Sequence, residues 1–236
     1  MKNTSGAIIL SQLAQVTAER AERAADPALA KRVLAVKCYQ QRRFELMYAD
    51  LLAHPRYAGA ARFFLDDLYG PSDFTQRDAQ FARAVPGLVR LFPAEVVATV
   101  EALTALHALS ERFDSSMARQ IDVDPVDACA YARAWQHCGE PDSRERQIVL
   151  IQRVGEALDV FTRSPLLRHS LRMMRVPARA AGMAALQAFL ETGFETFRAM
   201  GGAAEFLALI GQRERKLARD LFAVDPAQAT RLGELP

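Results

Sequence analysis

Two prolines bracket the stretch that most constrains how this chain folds. Asp26-Pro27 reads as an N-cap followed by the first residue of a helix, because proline costs nothing where the N–H has no intrahelical partner. His54-Pro55 closes the stretch, since a residue before proline is pushed out of the helical region. Between them Leu29, Val33, Val36, Gln40, Phe44, Met47 and Leu51 recur at intervals of three and four. That is one amphipathic stripe over roughly seven turns, too long and too regular for a strand.

The same period runs through the rest of the chain. A first helix starts at Thr4 or Ser5 and carries Ile8, Leu13, Val16 and Ala24. A helix from about Arg56 to Tyr69 ends at Gly70-Pro71, and another restarts at Ser72 or Asp73 and ends before Pro86. Pro93 opens a long helix with Val96, Val100, Leu103, His107 and Ser110 on one face. Asp124 caps the next, to His137, and Asp142 or Ser143 caps one through Phe161. Ser164-Pro165 starts a helix that breaks at Pro177, and two more follow, hinged at Gly201-Gly202. No segment alternates with strand period and no repeat of fixed length occurs. The expectation is an all-α fold: a single bundle-like domain over residues 1–224, of about nine or ten helices, with a loose tail over 225–236. The breaker-rich region 120–143 is where a subdivision would fall.

Charge narrows the partners. Lys+Arg 30 against Asp+Glu 28 leaves no global field that selects nucleic acid. Residues 1–54 show no helix-turn-helix with a small-residue turn, so sequence-specific nucleic-acid binding is not expected. Three cysteines without a framework point to a reducing compartment. Gln12, Gln15 and Thr17 interrupt the N-terminal apolar run too early for a signal peptide, and no stretch approaches the ~18 apolar residues of a membrane span. A cytoplasmic protein without a transmembrane segment is the expectation.

One segment concentrates aromatic and acidic residues. Phe63, Phe64 and Tyr69 alternate with Asp66, Asp67 and Asp73 around Gly70-Pro71, and read as a structural nucleus of the core. Asp66-Asp67 has the look of an aspartate-rich terpene synthase motif, but Gly70 stands where the third aspartate is required. Asp122, Asp124 and Asp127 fail the EF-hand pattern, with Val126, Asp127 and Arg133 at the deciding positions. Neither a Glu-x-x-His nor a Cys-x-x-Cys occurs, and no metal site is expected. His107, on an apolar face, reads as a haem ligand or as a half-buried histidine bonded to a carbonyl or to Glu111. Nothing else in the sequence asks for haem, so no cofactor is expected. Without a nucleophile elbow or a phosphate loop there is no catalytic constellation, and the reading leans away from an enzyme.

Two features carry the functional expectation. From Val160 to Leu190 there is no acidic residue, while Arg163, Arg168, Arg172, Arg175 and Arg179 fall in that run. Arg168, Arg172 and Arg175 stand at i, i+4, i+7, with Leu167, Leu171 and Met174 on the adjacent face. Like charges at this spacing need compensation. It comes from the aspartates of the aromatic segment, from an acidic partner or anionic ligand, or from a membrane surface. The second feature is the Phe189–Met200 helix, whose Gly193 admits either a close helix or a ligand. The leading expectation is a non-enzymatic interaction or regulatory protein that meets an acidic partner through Arg168, Arg172 and Arg175. The alternative is a small-molecule-binding or sensory domain with its pocket between the aromatic segment and the Phe189–Met200 helix. Self-association is left open.

The strings FFLDDLYGPSDFTQRD, RERQ at Arg144 to Gln147, LQAFLETGF and RAMGGAAEFL resemble an uncharacterised family of bacterial all-helical proteins. The resemblance covers most of the chain. It implies a bacterial cytoplasmic protein and assigns no catalytic residue.

Overall fold

A computed structural model describes residues 2–68, 70 and 74–236. Through them run α1 (Lys2–Ala25), α2 (Pro27–Met47), α3 (Ala49–Ala53), α4 (Ala58–Phe63), α5 (Thr75–Leu91), α6 (Ala94–Ala118), α7 (Ala128–Cys138), α8 (Pro141–Thr162), α9 (Pro165–Met173), α10 (Arg175–Ala180), α11 (Ala184–Met200) and α12 (Ala204–Ala223). No strand occurs among the described residues, so the chain is all-α. Two of the expected helices are each broken by one residue. Tyr48 separates α2 from α3, and Met174 separates α9 from α10.

The start of α2 forms as its sequence dictates. Asp26 Oδ1 accepts the N–H groups of Ala28 at 3.0 Å and Leu29 at 3.1 Å, a cap of about 1 kcal/mol. Other boundaries differ from the expectation. α7 is capped by Asp127, which accepts from the Ala130 N–H at 2.7 Å, while Asp124 pairs with Lys31. α5 continues through Pro86 to Leu91. Proline there forfeits a backbone bond, but Val85 and Val89 on either side are buried against Ile9 and Leu13 of α1. Packing of that face outweighs the missing N–H.

α6 is the central helix. It packs against α1, α2, α7 and α8. α12 lies on α7 and α8, and α11 lies on α4, α5 and α8 with α9 and α10 outside it. Leu29, Val33 and Tyr39 share a cluster with Trp135, Leu217 and Leu221. Helices from before and after residues 120–143 therefore share one interior.

The described part of the aromatic segment contributes to the core. Tyr57, Phe63 and Phe64 are buried in the largest apolar cluster with Phe197 and Phe206. After α4 the backbone widens into a π-helical turn, Phe64–Leu68. Gly70 closes it: a Cβ there would fall 2.4 Å from the Asp66 carbonyl oxygen, so no other residue fits. Tyr69 and Asp73 lie outside the described residues.

The C-terminal residues are docked, not loose. Asp225 caps a 3-10 helix, Pro226–Arg231, and the helix packs against α7. Ala229 and Leu235 are buried with Trp135 and Leu221, and Gln136 Nε2 donates to the carbonyls of Leu221 and Val224. The apolar content of those few residues is what ties them down.

Candidate functional site

The acid-free run folds into α9 and α10, and Ser164 caps α9 by accepting the Leu167 N–H at 3.3 Å. α9 buries none of its residues. Leu166 and Val176 are 73% and 75% exposed, and Met173 and Met174 are exposed with them. Arg168 and Arg172 belong to α9, but the break at Met174 puts Arg175 at the start of α10, so the three do not share one continuous helix face.

Their compensation also differs from the expectation. Arg172 Nη2 approaches Glu195 Oε1 at 3.4 Å, and Arg175 Nε donates to Glu191 Oε1 at 2.6 Å. Both acids come from α11, just past the end of the acid-free run. The Arg175 bond holds the Glu191 carboxyl below its usual range. Gln187 of α11 adds a latch, donating to the Leu171 carbonyl at 2.6 Å. None of the described aspartates of the aromatic segment pairs with these arginines. Asp66 is exposed. Burial and neighbouring Asp66 push Asp67 up, against the pull of Arg77. Arg77 donates to the Asp67 carbonyl at 2.7 Å and stacks on Phe74 and Phe189. Asp78 accepts from Arg20 at 2.8 Å and lies 2.7 Å from His107 Nε2.

Cavities open along the α6 face that the sequence placed together. At the Val96 end, an apolar chamber of about 160 Å³ lies between the aromatic segment and α11, walled by Phe63, Val100, Leu103, Phe189 and Phe197. Among the described residues lining it, Thr99 has the single polar side chain. Gly193 gives Phe63 its place: a Cβ at 193 would sit 2.9 Å from Phe63 Cζ, where the ring now stacks on Phe189.

At the His107 end the interior turns polar. A chamber of about 90 Å³ is lined by Lys37, Arg43, Glu111, Asp114, Arg144 and Glu214, among others. Glu111 accepts from Arg23 and, at 2.8 Å, from Lys37. Burial works to raise its carboxyl, but these two cations pull it down to about 2. Asp114, in the next turn, is pushed up by burial against the pull of Lys37. Glu214 accepts from Arg43 at 3.0 Å and from the Tyr48 hydroxyl at 2.7 Å. His107 thus pairs with Asp78, not with Glu111, because Arg23 and Lys37 already occupy Glu111.

Sequence reasoning passed over most of this cluster, although a signal was present. Arg20 and Arg23 continue the Ile9, Leu13, Val16 stripe at three-and-four spacing, and Arg144 stands on the stripe of Ile148 and Ile151. A cation on an apolar stripe must be buried with a partner or leave the helix unpacked. Among the described residues no group of three or more His, Cys, Asp or Glu could hold a metal, and no helix is long and apolar enough to cross a membrane.

The model of a domain of unknown function, DUF8198, matches residues 19–228. The chain belongs to the DUF8198 family. The matched span runs from the last turns of α1 into the C-terminal 3-10 helix, so the buried charges, both chambers and the α9–α10 surface lie inside the DUF8198 domain. No curated protein and no solved structure matches the chain.

Proposed function

We propose that this chain is a non-enzymatic interaction or regulatory protein whose α9–α10 surface docks an acidic protein partner. One observation carries the reading: α9 buries none of its residues, while Leu166, Met173, Met174 and Val176 lie exposed among arginines. Exposed apolar side chains grouped in this way mark interaction surfaces. The surrounding charge selects an acidic occupant, since arginine forks match carboxylates. Methionines suit a surface that adapts to its partner. A protein is favoured over a membrane because α9 and α10 offer no Phe, Tyr or Trp to seat among lipid headgroups. The test is capture through a photoreactive residue at Val176, with and without neutralisation of Arg172 and Arg175.

A second reading rests on the apolar chamber. Its 160 Å³ and largely apolar wall suit a small apolar molecule held between the aromatic segment and α11. α11 is common to both readings. It supplies Phe189, Phe194 and Phe197 to the chamber and Glu191 and Glu195 to the arginines. A ligand that shifts α11 would shift the docking surface with it. Native mass spectrometry tests this: a bound small mass released on denaturation supports the reading, and a bare chain in every preparation counts against it.

A further inference from the structure

We infer that the polar chamber around Arg144 is a binding site for a small oxyanion, a carboxylate or phosphate group of a few heavy atoms. Arg144 is 4% exposed. Its guanidinium is held between two rings, with its carbon 3.5 Å from the Phe113 centroid and 3.8 Å from that of Trp135. The faces of the group are therefore covered and only its N–H edge remains. On that edge Nη2 reaches Met117 Sδ at 3.4 Å, a weak acceptor, and Nε has no partner among the described residues.

The neighbouring cations differ from Arg144 in one respect. Arg23 and Lys37 share Glu111, Arg43 has Glu214, and Arg20 and Arg77 share Asp78. Arg144 forms no such ion pair among the described residues. A guanidinium removed from water without a counter-charge is costly, and two aromatic faces offset only part of that cost. Among the described residues of the chamber wall, the three carboxylates do not fill the role. Glu111 and Glu214 are already engaged, and Asp114 has Lys37 Nζ 3.6 Å away. Burial pushes the Asp114 carboxyl up, against the pull of Lys37. Gln40, Gln41 and Gln147 add neutral amides to the wall. The chamber's 90 Å³ exceeds several-fold the ~10–15 Å³ that one water requires. The fork of a guanidinium edge matches the two oxygens of a carboxylate or phosphate. This site stands or falls independently of the α9–α10 surface.

Trp135, the single tryptophan, reports on the site directly. The experiment titrates the full chain with sodium phosphate and, separately, with sodium acetate, each against sodium chloride at matched ionic strength, and follows tryptophan emission. The expected result is a saturable change with at least one anion beyond the chloride control; the arm that saturates tells phosphate from carboxylate. In Arg144→Met, a folded variant should give a flat titration. Arg144→Lys keeps the charge but not the fork, and should weaken affinity by about tenfold or more. If wild-type emission follows the chloride control in both arms, the proposal is overturned and Arg144 is a cation held by its two rings alone. A saturable titration that survives in folded Arg144→Met overturns it equally. Should Arg144→Met fail to fold, the wild-type titration and Arg144→Lys decide.

Discussion

Arg175 Nε donates to Glu191 Oε1 across 2.6 Å, tying the first residue of α10 to the second turn of α11. The Arg175 side chain is still 53% exposed. The guanidinium is thus steadied on one side and open on the other. A steadied side chain loses less rotamer freedom when a partner docks, so the pair favours recognition more than it stabilises the fold.

Glu111 makes the fold sensitive to acid. Its carboxyl lies at about 2 in the folded chain, against an ordinary 4.5. A depressed carboxylate stabilises the fold above its unfolded value, and that stability is lost as pH falls through the folded one, here between about 5 and 2. The difference is worth on the order of 3 kcal/mol. Asp114, pushed up by burial, contributes with the opposite sign and blunts the loss. The urea midpoint should hold from pH 7 to about 5 and then fall. Glu111→Gln should have a lower midpoint at pH 7 and a flatter profile below pH 5.

Gly193→Ala tests the apolar chamber. The new Cβ would lie 2.9 Å from Phe63 Cζ, and the ring has the chamber beside it to move into. Crowding of this kind costs about 1–3 kcal/mol, and the better helix propensity of alanine returns up to ~1 kcal/mol. The net loss should be no more than about 2 kcal/mol by thermal melting. Uptake of an uncharged naphthylamine probe should fall further than stability does, because the displaced ring takes up the free space.

The C-terminal residues should prove structural. Leu235 is buried beside Trp135 and Leu221. Leu235→Ala should cost about 2–3 kcal/mol in chemical denaturation, and removal of residues 226–236 should cost more.

How much of this was legible in the sequence follows from what each signal depends on. The stripe from Leu29 to Met47 and the Asp26 cap are local, and both form; Leu51 falls in α3, past the break at Tyr48. The face of Val96, Val100, Leu103, His107 and Ser110 was legible as one side of a helix. That it lines cavities depends on which helices come to lie opposite. The acid-free run of arginines is legible as a feature, but the sequence leaves its compensation open between the aspartates of the aromatic segment, an acidic partner or anion, and a membrane surface. The compensation comes from Glu191 and Glu195, because α9 and α10 fold back on the helix that follows them. Pro86 looked like a helix end because its lost N–H is local, while the burial of Val85 and Val89 that overrides it is tertiary. The docked C-terminus was missed for the same reason: a short segment with few apolar residues reads as a tail until Trp135 is found beside it.

The docking surface is tested most directly by a photoreactive residue in place of Val176, irradiated in cells, with the crosslinked peptide sequenced. Wild-type arginines should give a discrete adduct to an acidic protein segment. Arg172→Gln with Arg175→Gln should remove that adduct while the melting temperature stays near that of the parent, because exposed ion pairs add little to stability. A doubly neutralised chain that unfolds, an adduct that persists undiminished, or crosslinks to lipid in place of protein would contradict the account.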